Sequence, residues 1–482
     1  MLQRSPASFQ LHSAKQSRRA VASHFEMRVT FATAEFSPIA TVGGLAAASA
    51  GLVDALRRSG IDVDVVLPDY TPSDEGIIET LELEVPLWAG PATAKKITHP
   101  QSGEITLVDA PGLAKSHPYL QPDGNGWLDN TDRFMRFSAA VAAFVRHTSP
   151  DVVHLNDWHT ATALAALDPT PPSVLSLHNL AHQGAAGSEW LHLIGPKSDH
   201  YEWWDGVNPL AGAIALANHI VAVSPHHATE IIEDGNGFGL DGALRDRGLA
   251  LTGILNGIDT TVWNPEDDTC LPATFSTADH TAKTLNRNHL VNELGLVNDD
   301  SLLAVAVTRL TDQKGIDLLL PLINLLDEIP LRLAMLGSGD RILSEQLATA
   351  AVKSHRFAFV DGYDEALSHR LIAAGDLFLM PSRFEPCGLT QMQAMRYGTI
   401  PIVTPVGGLV DTVLDLDAHP QVGRGFVMND VSSTALISAV HRAVRKCKGK
   451  QLENIRTRVM SIDWSWDAPA KEFIKIYREI SR

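Results

Sequence analysis

The sequence predicts an α/β protein built from two parallel-sheet domains, and three observations carry that expectation. The chain has 482 residues, more than one ordinary hydrophobic core accommodates. Short β-branched runs alternate with stretches of helical periodicity almost throughout, and parallel strands need such helical crossovers. The alternation also breaks near residue 256 and then starts again.

In the first half, 28–32, 62–67, 152–155, 173–177 and 219–223 are short, β-branched and bounded by turn residues, as strands are. Residues 52–58 and 133–145 carry apolar side chains at helical spacing. The second half repeats the pattern with strands expected at 302–307, 331–336, 357–360, 377–380 and 400–403. The join falls near Ile254-Leu-Asn-Gly-Ile-Asp259 and Trp263-Asn-Pro265. A last helix over 467–480 presents Ala470, Phe473, Ile474 and Tyr477 on one face, just after Trp464 and Trp466. The expected division is therefore 27–256, 257–463 and a C-terminal segment 464–482. No repeat of solenoid period is present. Residues 1–26 are Ser- and Arg-rich with no acid before Glu26. They read as a disordered extension or an upstream start ahead of Met27, with an organelle transit peptide as the alternative.

Composition narrows the function classes. Hydrophobic residues make up 45% and charged residues 20%, as in a globular protein. A formal charge of −17 disfavours nucleic acid and anionic membrane as partners, because both are polyanions, whereas a neutral polysaccharide suits it. Cys270, Cys387 and Cys447 are scattered without metal-ligand spacing, which points to a reducing, cytoplasmic setting. No apolar run reaches membrane-spanning length.

Residues 377–413 hold the densest chemistry. The run Leu377 to Met380 stops at Pro381, and Glu385-Pro-Cys-Gly388 follows, leading into an amphipathic stretch ended by Gly398. This predicts a carboxylate just before a helix start, with Pro386 in the first turn. A second strand then ends in Pro405-Val-Gly407-Gly408. Both loops leave the carboxyl ends of strands, where open α/β sheets bind ligands, and free amides at helix starts suit phosphate. Arg309 and Lys314, after the strand at 302–307, place two cations at the same edge, one forked and one a point charge.

The blocks EFSPIATVGGL, VVHLNDWHTA, SLHNLAHQG, AVSPHHATEI, GFGLDGALRDRG, TGILNGIDTTVWNP, VTRLTDQKGIDLLL and SRFEPCGLTQ occur in this order. In them the chain resembles the bacterial glycogen synthases and plant starch synthases from about Met27 to its end. The resemblance implies a GT-B architecture, two Rossmann-like domains facing a cleft, with the last helix crossing back to the first domain. It implies retaining transfer of glucose from ADP-glucose to an α-1,4-glucan such as glycogen or a maltooligosaccharide, with no cofactor. Carried over residue by residue, Glu385, His178, Arg309 and Lys314 are the catalytic set. Gly43, Gly44, Asn179, Asn256, Tyr363, Cys387, Gly388, Leu389 and Thr390 are the donor-binding set, with Tyr363 stacking on the base. Asp157, His159 and Gln183 neighbour the sugar or acceptor.

One carboxylate without a close partner argues against double displacement, which needs two about 5 Å apart. The expectation is front-face transfer, in which the leaving phosphate helps take the acceptor proton. The position eight residues on, a second glutamate in wider retaining transferases, is Gln393, which fits the synthase group. No Asp-x-Asp pair stands where a metal would hold the diphosphate, so none is expected.

The chain departs from the family at its first glycine loop. Thr41 replaces the family lysine and Ala47 the aspartate that follows, and no other cation lies between Glu35 and Arg57. Losing a charged hydrogen bond costs roughly 1.5–3 kcal/mol, about 10- to 150-fold in rate or affinity. Gly43 and Gly44 are expected to keep donating backbone N–H to phosphate. Two other readings therefore stay open: a same-fold glucosyltransferase with another donor or small acceptor, and a weakly active glucan-binding pseudoenzyme. Oligomeric state is not legible.

Overall fold

The computed structural model describes residues 27–482, so the expected N-terminal extension lies outside the described residues. Two sheets organise the chain. The first has the strand order Leu251–Gly253, His219–Ala222, Ser173–Leu177, Val152–Asn156, Met27–Ala32, Ile61–Pro68, Gly103–Asp109, Thr93–His99, Ile77–Glu82. It is parallel as far as Gly103–Asp109 and antiparallel beyond. The second runs Phe357–Asp361, Leu331–Gly339, Leu302–Leu310, Leu377–Met380, Ile400–Val403, Phe426–Val427 and is parallel throughout.

Each expected strand is present within a few residues at its ends. The antiparallel edge was not expected from sequence, because its strands carry Glu79, Lys95, Lys96 and Glu104 in place of an apolar run. Such charges keep an edge strand from pairing with other chains. Lys96 bonds Glu104 at 2.5 Å across that edge. The helix read at 52–58 begins at Gly44, because Ala46, Ala48 and Ser49 bury small side chains that show little periodicity.

The central strands of each sheet are buried on both faces, as parallel strands are. The helix Asp467–Ile480 packs on the first sheet with Trp466, Phe473 and Tyr477 in one core with Phe31, Leu52 and Leu56. The Tyr477 hydroxyl sits 2.6 Å from His154 Nδ1. A Cβ at Gly51 would lie 2.1 Å from the Trp466 ring, so only glycine lets the indole seat against the helix Gly44–Arg58. The chain crosses between the two sheets at 256–259 and again at 464–466. The Ile258 N–H donates to the Trp464 carbonyl at 2.8 Å and binds the crossings together.

Candidate active site in the interdomain cleft

Glu385 stands at the carboxyl edge of the second sheet, in the loop after Leu377–Met380. It is buried, and Lys314 Nζ approaches its Oε2 at 2.5 Å while Ser382 Oγ donates to the same oxygen at 3.0 Å. One oxygen is thus anchored, and Oε1 has no partner among the described residues. Lys314 closes the short turn Asp312–Lys314, and Gly315 follows with φ 61°. A Cβ at Gly315 would lie 2.1 Å from the Pro381 carbonyl, so glycine there is what lets the lysine turn lie against the glutamate loop. Arg309, Lys314, Ser382 and Thr390 line one cavity. Arg309 is exposed, with no side-chain partner among the described residues.

The helix after Glu385 starts at Thr390, not directly behind Pro386, so the expected proline in the first turn is corrected: residues 381–389 form an irregular loop. That helix start has no side-chain cap and opens on the same cavity. The Gly407–Gly408 start is different. Gly407 N–H donates to Glu230 at 2.9 Å and Gly408 N–H to the Glu385 carbonyl at 3.1 Å. The Gly408 amide holds the glutamate loop and the Gly407 amide ties to the first domain through Glu230, so neither is free for phosphate. Cys387 is buried, its thiol pushed up to about 12 by desolvation, with the Asn256 N–H opposing. Gln391 Nε2 donates to the carbonyls of Cys387 and Gly388 at 3.2 and 2.9 Å. Tyr363 stands 80% exposed after Phe357–Asp361, an open ring at the same sheet edge.

The first domain meets this loop directly. Ser224 Oγ donates to the Pro386 carbonyl at 2.6 Å, and the His226 N–H to Asp411 at 2.9 Å. Phe238 packs edge-on against Phe384. A Cβ at Gly44 would be 3.7 Å from Leu389, so the glycine loop faces the glutamate loop across the cleft.

On the first-domain wall, His178 and Asp157 end adjacent strands. Asp157, itself at φ 53°, accepts the His178 N–H at 2.7 Å and the Asn179 N–H at 3.4 Å. Burial pushes its carboxyl up to about 7 against those two donors. Asn156 commits its amide nitrogen to the Ala32 carbonyl, so its Oδ1 faces His178 Nε2 at 3.0 Å. His178 therefore carries its proton on Nε2, and desolvation holds it neutral, down to about 4. His159 is buried among Tyr119, Phe134 and Trp158, its Nδ1 unpartnered, and burial holds it far below the usual imidazole range. Gln183 spends its side chain internally, donating to Leu180 and Phe238 carbonyls and accepting from Asn208. Asn179 Oδ1 caps the Ala181 N–H at 3.0 Å.

The glycine loop holds a feature that the sequence reading passed over. Glu35 Oε2 accepts the N–H groups of Val42 at 3.0 Å and Gly43 at 2.8 Å, and its Oε1 accepts the Tyr119 hydroxyl at 2.7 Å. An internal carboxylate already fills the amides expected to meet phosphate, so that expectation is corrected for Gly43. Glu35 lies six residues before Thr41 and was visible as an acid beside a glycine turn. Ser382 lies three residues before Glu385, inside a block already singled out, but its hydroxyl was given no role. Tyr119 and Asn156 meet Glu35 and His178 from distant sequence and carried no local signal.

Elsewhere, Asp268, Cys270 and His369 converge despite their unpromising spacing. Asp268 Oδ2 there takes the Tyr397 hydroxyl and His369 Nδ1, both at 2.7 Å, and Trp263 stacks on His369. These bonds join the interdomain segment to the second domain. No helix of the described residues is long and apolar enough to cross a membrane.

Comparison with known proteins agrees with this geometry. Residues 28–246 match the model of the starch synthase catalytic domain, and 293–458 that of glycosyl transferases group 1. The glycogen synthase of Dechloromonas aromatica is 38% identical, covering 94% of this chain and 98% of that protein. The starch synthase IV catalytic domain of Arabidopsis thaliana, solved with ADP and acarbose, is 31% identical with a TM-score of 0.85, covering 95% and 100% of the two chains. A sucrose-phosphate synthase of Thermosynechococcus elongatus, 18% identical with a TM-score of 0.62 over 94% and 99% of the two chains, shares the fold. With two parallel-sheet domains and relatives matched over nearly their whole length, the chain belongs to the glycogen and starch synthase family of GT-B glycosyltransferases.

Proposed function

We propose that the protein transfers glucose from ADP-glucose to the non-reducing end of an α-1,4-glucan, with retention of configuration, in the cytoplasm. The observation that carries this reading is the buried Glu385, one oxygen fixed by Lys314 and Ser382 and the other open. Lys314 and Arg309 neutralise the departing diphosphate, and the uncapped helix start at Thr390 adds main-chain donors. The free Glu385 Oε1 accepts from sugar hydroxyls. It does not attack the anomeric carbon, because double displacement needs a second carboxylate nearby. His178, neutral at physiological pH, orients the sugar through hydrogen bonds. The donor phosphate takes the acceptor proton as the new bond forms, so the charge is met by side chains and no metal is required.

The test is incubation of the purified protein with ADP-glucose or UDP-glucose and a maltooligosaccharide, followed by sizing of products and an NMR reading of the new anomeric proton. Stepwise lengthening by α-linked glucose from ADP-glucose, in the presence of EDTA, is expected. Transfer from neither donor would overturn the reading. A second reading, a glucan-binding protein with slow catalysis, is favoured by Thr41 and Ala47 and predicts binding of the oligosaccharide without lengthening.

A further inference from the structure

Antiparallel pairing sets Trp203 opposite Gly206 and Glu202 opposite Val207, so Trp204 and Asp205 form a two-residue hairpin loop. Trp204 has φ 53°, and Asp205 is outside the left-handed region. A positive φ at the first loop position alone is the pattern that asks for glycine. A tryptophan there is strained, as bulky residues in this region are. Its ring is also 87% exposed, so the strain is not offset by burial.

The hairpin does not need this ring to fold. It rests on its own small core, in which Tyr201, Val207, Trp190 and Ile194 are buried. The Tyr201 hydroxyl donates to the Ala161 carbonyl at 2.8 Å, and the Asn208 N–H closes the hairpin base on the Tyr201 carbonyl at 2.9 Å. Asn208 Nδ2 donates to Gln183 at 2.7 Å, and Gln183 in turn holds the Phe238 carbonyl. The ring thus stands on a rigid base tied to the loop that carries His178.

We infer that Trp204 is a stacking platform for an α-linked glucan chain, outside the transfer site and fixed relative to it. An indole face matches the C–H face of a pyranose, and the exposed carboxylates of Glu202 and Asp205 on either side accept from sugar hydroxyls. The same carboxylates repel polyanions, which leaves a neutral polyol chain as the fitting ligand. A single platform binds weakly. It acts when a polymer engages it and the cleft together, since the second contact is then intramolecular. This inference deepens the glucan reading proposed above and rests on it.

The test compares Trp204→Gly, Trp204→Phe and, as an exposed apolar control, Leu249→Ala in the full chain. Measurements are thermal midpoint, retardation in glycogen-containing native gels, and half-saturating concentrations of glycogen and maltotriose. Trp204→Gly is expected to hold or raise the midpoint, because it relieves the turn, while losing most of the retardation. Its half-saturating glycogen should rise roughly fivefold, and its maltotriose value should change by less than about twofold. Trp204→Phe should keep most of the retardation, and Leu249→Ala all of it. Unchanged retardation of Trp204→Gly overturns the platform, as does a lowered midpoint with equal loss in Trp204→Phe. Glucan lengthening with retardation indifferent to Trp204 leaves the synthase reading standing and removes the platform. Trp204-dependent retardation without lengthening does the reverse.

Discussion

The two walls of the cleft meet the same ligand region with opposite equipment. On the second-domain wall an anion and a cation are already paired, Glu385 with Lys314, and a second cation, Arg309, stands free at the edge. On the first-domain wall the glycine loop has no cation at Thr41, and the N–H groups of Val42 and Gly43 are occupied by Glu35. The contrast teaches where binding energy for a diphosphate can come from in this chain. The second wall offers fixed charges in a partly buried site, where they act strongly. The first wall offers His178, held neutral, and a loop whose electrostatics are internally satisfied. The walls meet through Ser224, Glu230 and Phe238, all of which touch the loop that carries Glu385 or its supports.

The largest effect that would break this picture is at Glu385. Glu385→Ala should lower transfer about 100-fold or more with the fold retained, as preorganised electrostatic groups do. Steady-state rates beside a circular dichroism melt measure it, and a variant keeping a tenth of the rate would move the chemistry elsewhere. Next come Arg309→Ala and Lys314→Ala, each expected to weaken ADP binding about tenfold, read by calorimetry. Lys314→Ala also strands a buried carboxylate, so Glu385→Gln/Lys314→Ala should be less impaired than the single effects predict. Additive losses would mean that the 2.5 Å pair is not a working unit.

How much of this was legible beforehand follows the same division. The second sheet's strands, the loop at 381–390 and the two cations were readable, because apolar runs ending in Gly, Pro and charge are local signals. The final helix was readable too, through Ala470, Phe473, Ile474 and Tyr477. The glycine-loop helix was half missed, because alanines bury without periodicity, and the antiparallel edge was missed because its strands are charged. Glu35 as an internal ligand of the loop was missed for another reason. A glycine loop reads as an open phosphate nest until the third dimension shows which side chain fills it. Tyr119 and Asn156 reach their partners across long sequence separations that no local pattern encodes.

The first wall should also respond to acid. Burial holds His154 down to about 3, His178 to about 4 and His159 far below its ordinary value. Unfolded histidines titrate near 6.5. As pH falls from there toward the folded values, the unfolded chain binds protons that the folded chain refuses, so stability is lost in that window. Above it these groups change nothing. Asp157, raised to about 7, works in the opposite sense: the stability it contributes is present at low pH and lost as pH rises from about 3.9 toward 7. Three histidines outweigh one aspartate, and each net proton is worth about 1.4 kcal/mol per pH unit. Urea midpoints should therefore fall between pH 6.5 and 5, and His178→Gln should flatten that slope by about one proton. An unchanged slope would mean that His178 is solvated and free to charge.

Thr41→Lys carries the smallest effect and sharpens the comparison most, because it asks whether the bare wall can be re-equipped. Read from sequence, the missing cation was worth a full charged hydrogen bond. The structure lowers that figure. Thr41 and Ala47 are both exposed, so a lysine fits without a clash but acts through solvent, where a charge contact is worth about 0.2–1 kcal/mol. Glu35, seated on the neighbouring amides, also competes with phosphate for the new ammonium. The expected gain in turnover is therefore about two- to fivefold. It should grow when Glu35→Gln is added, because the amide still accepts from Val42 and Gly43 but no longer attracts the lysine. Ala47→Asp alone should do little, since it adds a carboxylate without a cation to hold. If Thr41→Lys lowers turnover both by itself and in combination with Glu35→Gln, the loop has settled around threonine. The two walls would then be a finished division of labour, and no charge added at Thr41 would restore it.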